Sequence, residues 1–383
     1  MSRKRTIAEI NEKILSGKAV VLTAEQVAAM GREASAAEIA EKVDVVTTGT
    51  FGPMCSSGMF INFGHTDPPM RMEKITLNNV PVFAGIAAVD AYIGATETAL
   101  PYDQYGGAHV IEELIAGKDI LLQATAKGTD CYPRTEVKTL INKATVNEMT
   151  MFNPRNAYQN YNVAVNSTSK MKYTYMGTLL PSFGNATFST SGELSPLLND
   201  PDMRTIGIGT RIFFGGATGY VAWHGTQFNT GKPVNEHGVP VGNSATLALI
   251  GNAKEMTTRF IRAAYFEKYG VSIFVGVGIP IPVLDEDMAR RVMVRNSQIH
   301  TNILDYGTPG HDALGRIDYR SLFSGEITLK GKKIRTAPLS SVKVAREIAE
   351  TLRSEIGSGR FLLTAPVEQF KKTSGLNNLE IRL

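Results

Sequence analysis

The segment V-D-V-V-T-T-G-T-F-G-P-M-C-S-S-G-M-F-I-N-F-G-H-T-D-P-P, Val43 to Pro69, organises the reading of this chain. Its apolar run, Val43, Val45 and Val46, predicts a buried strand that empties into a glycine-punctuated loop carrying Cys55, and then His65 and Asp67 before a Pro-Pro stop. Gly49, Gly52 and Gly58 suit tight turning and close approach to a ligand, with the strand behind them holding the thiol in place. The plainer alternative makes Cys55 a small buried apolar residue in a turn. A second copy of the arrangement favours chemistry. In D-I-L-L-Q-A-T-A-K-G-T-D-C-Y-P-R, Asp119 to Arg134, the run Ile120 to Leu122 again leads to a glycine-containing loop, which holds Cys131. The only two cysteines thus follow predicted core strands, and in α/β proteins ligands gather at strand carboxyl ends. The expectation is that both loops line one pocket.

The bulk properties narrow the classes. A chain of 383 residues with 43% hydrophobic and 20% charged residues has the composition of an ordinary globular protein. Its net charge of +4 is scattered rather than gathered on a basic stripe, so nucleic-acid binding is not indicated. The start M-S-R-K-R-T-I-A-E-I lacks the apolar run of a signal peptide, and no stretch is long enough to span a membrane, so a cytoplasmic location without a membrane partner is expected. Two cysteines can build neither a disulfide scaffold nor, unaided, an iron–sulfur cluster. No tightly bound cofactor is expected, and electrons, where needed, must come from outside.

Along the chain, Thr6 with Glu9, Thr23 with Gln26 and Ser35 with Glu38 match the capping box and predict three helix starts. Ile75 to Phe83 around Asn78-Asn79 predicts a hairpin, and residues 108 to 116 a helix that passes to the Ile120 strand. Thr145 with Glu148 predicts a further helix start. From about Tyr158 to Pro240 short Val, Ile, Phe and Tyr runs between Gly, Asn, Ser and Thr predict strands and loops. G-I-G-T-R-I-F-F-G-G, Gly207 to Gly216, misses the third glycine of a dinucleotide fingerprint and has no clear helix after it. The last third predicts a strand over 246 to 250, a helix from Asn252 to Lys268, a buried strand over 271 to 277, a helix start at Asp285-Glu-Asp, a hairpin over 327 to 334, a helix over 342 to 356 and a closing strand at Phe361-Leu-Leu. The fold class is mixed α/β, a central sheet with flanking helices and a β-rich middle. It reads as one large elaborated unit, and the β-rich segment near 155–240 is where it could divide.

Among candidate residues, Cys131 has Lys127 and Arg134 near it in sequence, with Asp130 opposing, and cations favour the thiolate that acts as nucleophile. Cys131 is therefore taken as the reactive thiol and Cys55 as the assisting or resolving one. The six histidines show no metal-binding spacing. His65, two residues before Asp67, is the favoured acid or base, with Asp67 as a substrate contact and His224 in A-W-H-G-T as second choice. Arg134 and Arg155 could grip a carboxylate in bidentate fashion. Each of these has an ordinary structural alternative.

The segments G-T-F-G-P-M-C-S-S-G, F-G-H-T-D-P-P, D-C-Y-P-R, F-N-P-R-N-A-Y-Q-N-Y, G-V-G-I-P-I-P-V-L, I-L-D-Y-G and T-A-P-L-S-S, in that order, resemble the homocysteine biosynthesis (HcyBio) family from about Ile7 to Phe370. The resemblance implies an L-aspartate semialdehyde sulfurtransferase activity that makes homocysteine from aspartate semialdehyde and sulfide, with the family's two functional cysteines at Cys55 and Cys131. It also implies a persulfide on Cys131, reductive release involving Cys55, and a ferredoxin-type iron–sulfur donor as protein partner. A chain ending at Leu383 is expected to lack the CBS domains that many relatives carry, and a homo-oligomer is allowed. Two rival readings stay open, a non-catalytic persulfide carrier and a cysteine-dependent aldehyde-processing enzyme.

Overall fold

The three capping boxes form as the sequence requires. Thr6, Thr23 and Ser35 each accept a hydrogen bond from the backbone N–H three residues on, and Glu9, Gln26 and Glu38 reach back to the cap residues. They open the helices Ile7–Leu15, Ala24–Met30 and Ala36–Lys42 in this computed structural model, which describes residues 4–101, 103–373, 375–377 and 379–382. The strand Val45–Thr47 is buried throughout and runs between Val21–Thr23, parallel, and Pro280–Pro282, antiparallel. Asp44, fully buried beside it, is held by Arg5, by Lys13 Nζ at 2.7 Å and by the backbone N–H of Val20 at 2.9 Å. A buried carboxylate requires such neutralisation, and these contacts tie the N-terminal segment to the core.

From there the chain enters a nine-stranded sheet in the order Ile261–Phe266, Gly270–Gly278, Arg211–Phe214, Ala217–His224, Leu247–Asn252, Glu148–Asn156, Gly58–Asn62 and Asp90–Gly94, with Thr50–Pro53 also paired to Gly270–Gly278. Every pairing in it is antiparallel. One face meets the helix Gly107–Ile115, whose Val110, Ile111 and Leu114 join the main apolar core. Part of the other face is covered by the helix Val342–Gly357, with Ile348 and Leu352 packed among Phe51, Phe213 and Phe260. Gly49 permits that close approach: a Cβ there would lie 2.1 Å from the Ala345 carbonyl oxygen. Close packing against the helix, rather than a tight turn, is thus what this glycine serves.

A four-stranded sheet, Val80–Val82, Lys74–Leu77, Ile120–Thr125 and Glu136–Ile141, lies on the far side of the main core. Its predicted hairpin turns through Asn78 and Asn79, both left-handed with φ of 46° and 64°. A six-stranded sheet built from residues 163–338, including Val163–Val165, His300–Asp305 and Asn185–Phe188, has a core of its own around Phe188 and Tyr319.

The mixed α/β class holds, with a heavier share of strand than helix. Several local expectations do not. Residues 252–268 form no long helix: Asn252 caps only a short turn, Ala253–Glu255, and Ile261–Phe266 is a strand, because pairing along six residues with Gly270–Gly278 outweighs the helical spacing of its apolar residues. The helix expected at Thr145 is a turn in which Thr145 Oγ1 accepts from the N–H of Asn142 at 2.8 Å, and Glu148–Asn156 is a strand. Phe361 to Leu363 forms no strand: Leu363 exchanges hydrogen bonds with the Asn11 side chain, and Phe361 is buried with the Arg211 guanidinium 4.4 Å over its ring. The glycine-rich 207–216 segment leads through Arg211–Phe214 into an antiparallel hairpin with Ala217–His224, which is not the strand-to-helix turn that cradles a dinucleotide. Among the described residues no helix is long and apolar enough to cross a membrane.

Candidate functional site

Cys55 occupies the turn between Thr50–Pro53 and Gly58–Asn62, and neighbouring strands hold that turn from both sides. The N–H of Met54 donates to the Ile273 carbonyl at 2.7 Å, Ser57 Oγ donates to the Met54 carbonyl at 2.7 Å, and Asn153 Nδ2 donates to Ser57 Oγ at 2.7 Å. Ser56 Oγ donates to the Arg155 carbonyl at 3.2 Å. The thiol is half-buried; its Sγ lies 3.2 Å from the Oγ of the fully buried Ser272, and the Tyr269 hydroxyl points at it from 3.9 Å.

The thiol lines a cavity of about 490 Å³ shared with Arg155, Tyr158, Tyr161, Tyr175, Tyr269 and Lys232, and with the amides Gln227, Asn229 and Asn243. No acidic side chain lines it among the described residues, so its charge is cationic. Arg155 Nε is buried and has no hydrogen-bond partner among the described residues. A donor left in that condition is costly until an acceptor enters, and a ligand carboxylate would satisfy it.

The phenols form a connected wall. Tyr161 donates to the Tyr175 hydroxyl at 3.1 Å, and the Tyr175 and Tyr306 hydroxyls lie 2.7 Å apart. Burial pushes Tyr158, Tyr161 and Tyr306 above the ordinary phenol range. Burial, reinforced by the adjacent Cys55, raises Tyr269 to about 12. At neutral pH these groups are therefore neutral O–H donors. The arrangement can hold an anionic group at Arg155, donate hydrogen bonds to a carbonyl oxygen and present a thiol to a carbon beside it.

Cys131 is elsewhere. It is exposed in the hairpin loop between Ile120–Thr125 and Glu136–Ile141 and does not line this cavity. His65 stacks on its neighbour Tyr132 at 6.2 Å between ring centroids. Arg134 donates through Nε to the Pro68 carbonyl at 3.2 Å and through Nη2 to the Asp67 carbonyl, clamping the two loops together. His65 and Asp67 are exposed. The Cys55 turn and this cluster flank opposite ends of the Gly58–Asn62 strand, whose five residues span roughly 17 Å. The expectation that both cysteine loops line one pocket is corrected: the Ile120 strand runs into an antiparallel hairpin rather than into a helix crossover, so its end does not converge on the Cys55 cavity.

Of the expected site residues, the structure thus brings Cys55 and Arg155 together, and groups Cys131, His65, Asp67 and Arg134 at a second place. His224 lies outside the cavity lining, against Trp223, Phe228 and Phe370. The tyrosines, Ser272 and Lys232 escaped the sequence reading. Tyr158 and Tyr161 lay inside the quoted F-N-P-R-N-A-Y-Q-N-Y motif, the one signal that pointed to them. Among the described residues no group of three or more His, Cys, Asp or Glu side chains is placed to hold a metal ion.

Comparison with known proteins bears on this geometry. No solved structure matches the chain. A curated relative from Methanosarcina acetivorans, named L-aspartate semialdehyde sulfurtransferase, is 46% identical over 98% of this chain and 74% of its own length. One of the same name from Methanocaldococcus jannaschii is 50% identical over 95% of this chain and 73% of its own length. An uncharacterised protein from Methanothermobacter thermautotrophicus is 28% identical over 84% of this chain and 73% of its own length. The family model described as "Homocysteine biosynthesis enzyme, sulfur-incorporation" matches residues 19–363. With nine-tenths of its length under that match, the chain belongs to the sulfur-incorporating homocysteine biosynthesis enzyme family.

Proposed function

We propose that this chain incorporates sulfur into L-aspartate semialdehyde to give L-homocysteine, and that Cys55 carries the sulfur. The observation that supports this most directly is the half-buried Cys55 thiol in one cavity with an unpartnered Arg155 Nε. Arg155 receives the substrate carboxylate, with the exposed Lys232 a second cation in the lining, and the amide and tyrosine faces surround the ammonium group. The aldehyde carbon is then presented to Cys55, with Tyr269 donating a hydrogen bond to the oxygen as negative charge develops there.

The net change is aldehyde plus sulfide plus two electrons and two protons, giving thiol plus water. If sulfur is held as a Cys55 persulfide, its terminal sulfur adds to the aldehyde carbon. Four electrons and four protons then release water and homocysteine and restore the Cys55 thiol. Forming that persulfide from thiol and sulfide releases two electrons and two protons; the electrons pass to the oxidised form of the external iron–sulfur protein, so the overall balance is unchanged. The electrons are supplied by an external low-potential donor of the ferredoxin iron–sulfur type. Because Cys131 lies outside the cavity, the persulfide first drawn on Cys131 is placed on Cys55 instead, and no step inside the cavity is given to Cys131 or to His65.

The test is homocysteine formation by purified protein supplied anaerobically with aspartate semialdehyde, sulfide and a strong chemical reductant. Mass spectrometry after treatment with polysulfide, whose zero-valent sulfur transfers to a thiol without a further oxidant, locates the persulfide. Cys55→Ser is expected to abolish turnover and the persulfide, with Cys131→Ser keeping both. Full activity in Cys55→Ser, or a persulfide confined to Cys131, would overturn the assignment. A protein that accepts sulfur on Cys55 but never forms homocysteine would be a carrier instead.

A further inference from the structure

The nine-stranded sheet is covered unevenly. Cross-strand partners share a face, so the register traces one continuous side. Phe213, packed in the core under the Val342–Gly357 helix, is paired with Thr218; two residues on, Tyr220 pairs with Ile250, which pairs with Phe152. Phe152 is 6.1 Å from Phe60 between ring centroids, and Phe60 pairs with Tyr92 at 4.9 Å. The helix therefore covers this face only over Arg211–Phe214 and its neighbours Gly270–Gly278 and Thr50–Pro53. From Ala217–His224 to Asp90–Gly94 the same face continues as an aromatic surface with no helix over it among the described residues: Phe60 is 39% exposed, Tyr220 44% and Trp223 51%. Phe83, bridged to Tyr92, prolongs it and is 63% exposed.

We propose that a second copy of this chain docks on this face, forming a two-fold, sheet-on-sheet homodimer. Three observations favour a copy over another occupant. At about 200 Å² per aromatic side chain, the exposed parts of Phe60, Phe83, Tyr220 and Trp223 present roughly 400 Å² of apolar surface, an apolar centre about half of the approximately 800 Å² that each partner contributes to a standard stable interface, the rest being its rim. The face carries its charge at the margins: Arg211 opposite Tyr220 at the covered side, its guanidinium laid over Phe361, and Asp90 and Glu148 in one end row with Asn62. That pattern suits a permanent apolar interface better than the small, polar contact of a transient electron donor. Finally, an antiparallel sheet face packs on a copy of itself at a shallow angle, and a net charge of only +4 opposes this little.

The chain's single tryptophan, Trp223, lies within the patch and reports on it. Analytical ultracentrifugation of the full chain should show a monomer–dimer equilibrium favouring dimer at micromolar concentration, with Trp223 emission shifting to the blue as dimer forms. Phe60→Glu with Tyr220→Glu should weaken association by about 30-fold or more, with the far-ultraviolet circular dichroism of the parent. Should that variant fail to fold, Thr150→Arg, next to Phe60 in register and outside the core, gives the same readout. A chain that stays monomeric with solvent-exposed tryptophan emission at tens of micromolar, or a dimer untouched by these substitutions, would overturn the proposal.

Discussion

Arg155→Met tests the candidate site at its most informative point. The Ser56 and Asn153 contacts of Arg155 run through its backbone, to its carbonyl and from its N–H at 3.0 Å, so replacing the side chain leaves the Cys55 turn's supports in place. What is lost is a guanidinium whose Nε is buried without a partner. A charge-assisted hydrogen bond from that group to a substrate carboxylate is worth about 1.5–3 kcal/mol, and its loss predicts a fall in kcat/KM of about 10- to 150-fold. Because the carboxylate does not react, the bond is equally strong before and during the reaction. The fall should appear as a raised KM with kcat little changed. Stability moves the other way: removing an unsatisfied buried donor relieves a cost of order 1 kcal/mol, so the variant should melt no lower than the parent. Steady-state homocysteine formation and thermal unfolding, measured on the same preparation, read both quantities. Unchanged kcat/KM, or a loss of activity accompanied by a clear loss of stability, would refute the argument.

Two further outcomes follow from the ion pairs. Asp44→Ala should destabilise the chain by about 3–5 kcal/mol, seen in chemical denaturation, because it leaves the nearly buried Arg5 guanidinium without its counter-ion; a change below about 1 kcal/mol would show that Arg5 is already satisfied by the Ala40 and Val43 carbonyls. Asp285, paired with Arg204 through bonds of 3.0 and 2.7 Å and capping the N–H of Met288 at 2.9 Å, is held down at about 2. Its folded value lies below the unfolded one of about 3.9, so the contribution of roughly 2 kcal/mol is complete above that pH and disappears as pH falls toward 2. Arg204→Leu should flatten that part of the acid-unfolding curve, and an unchanged curve would count against the pairing.

Much was legible locally because the forces involved act within a few residues. The three capping boxes, the left-handed turn at Asn78-Asn79, and the helices Gly107–Ile115 and Val342–Gly357 with their one-sided apolar spacing each followed from neighbouring side chains. The glycine-framed loop at Cys55 also led to the cavity. Residues 252–268 failed because the spacing of Met256, Phe260, Ile261 and Ala264 fits a helix, whereas the ladder to Gly270–Gly278 exists only once the fold has formed.

Taken alone, the sequence determined the mixed class, the principal helices, the family resemblance and the importance of the Cys55 loop, all of which rest on short-range patterns or on motifs in fixed order. Tertiary structure alone decided which strands became neighbours. By pairing Ile120–Thr125 into an antiparallel hairpin it carried Cys131 away from Cys55, and by closing the Glu148–Asn156 and Gly270–Gly278 strands around the Cys55 turn it assembled Arg155, Tyr269 and Ser272 at the thiol. Such groups lie a hundred residues or more from the cysteine, and spacing along a chain carries no information about contacts made by folding across that distance.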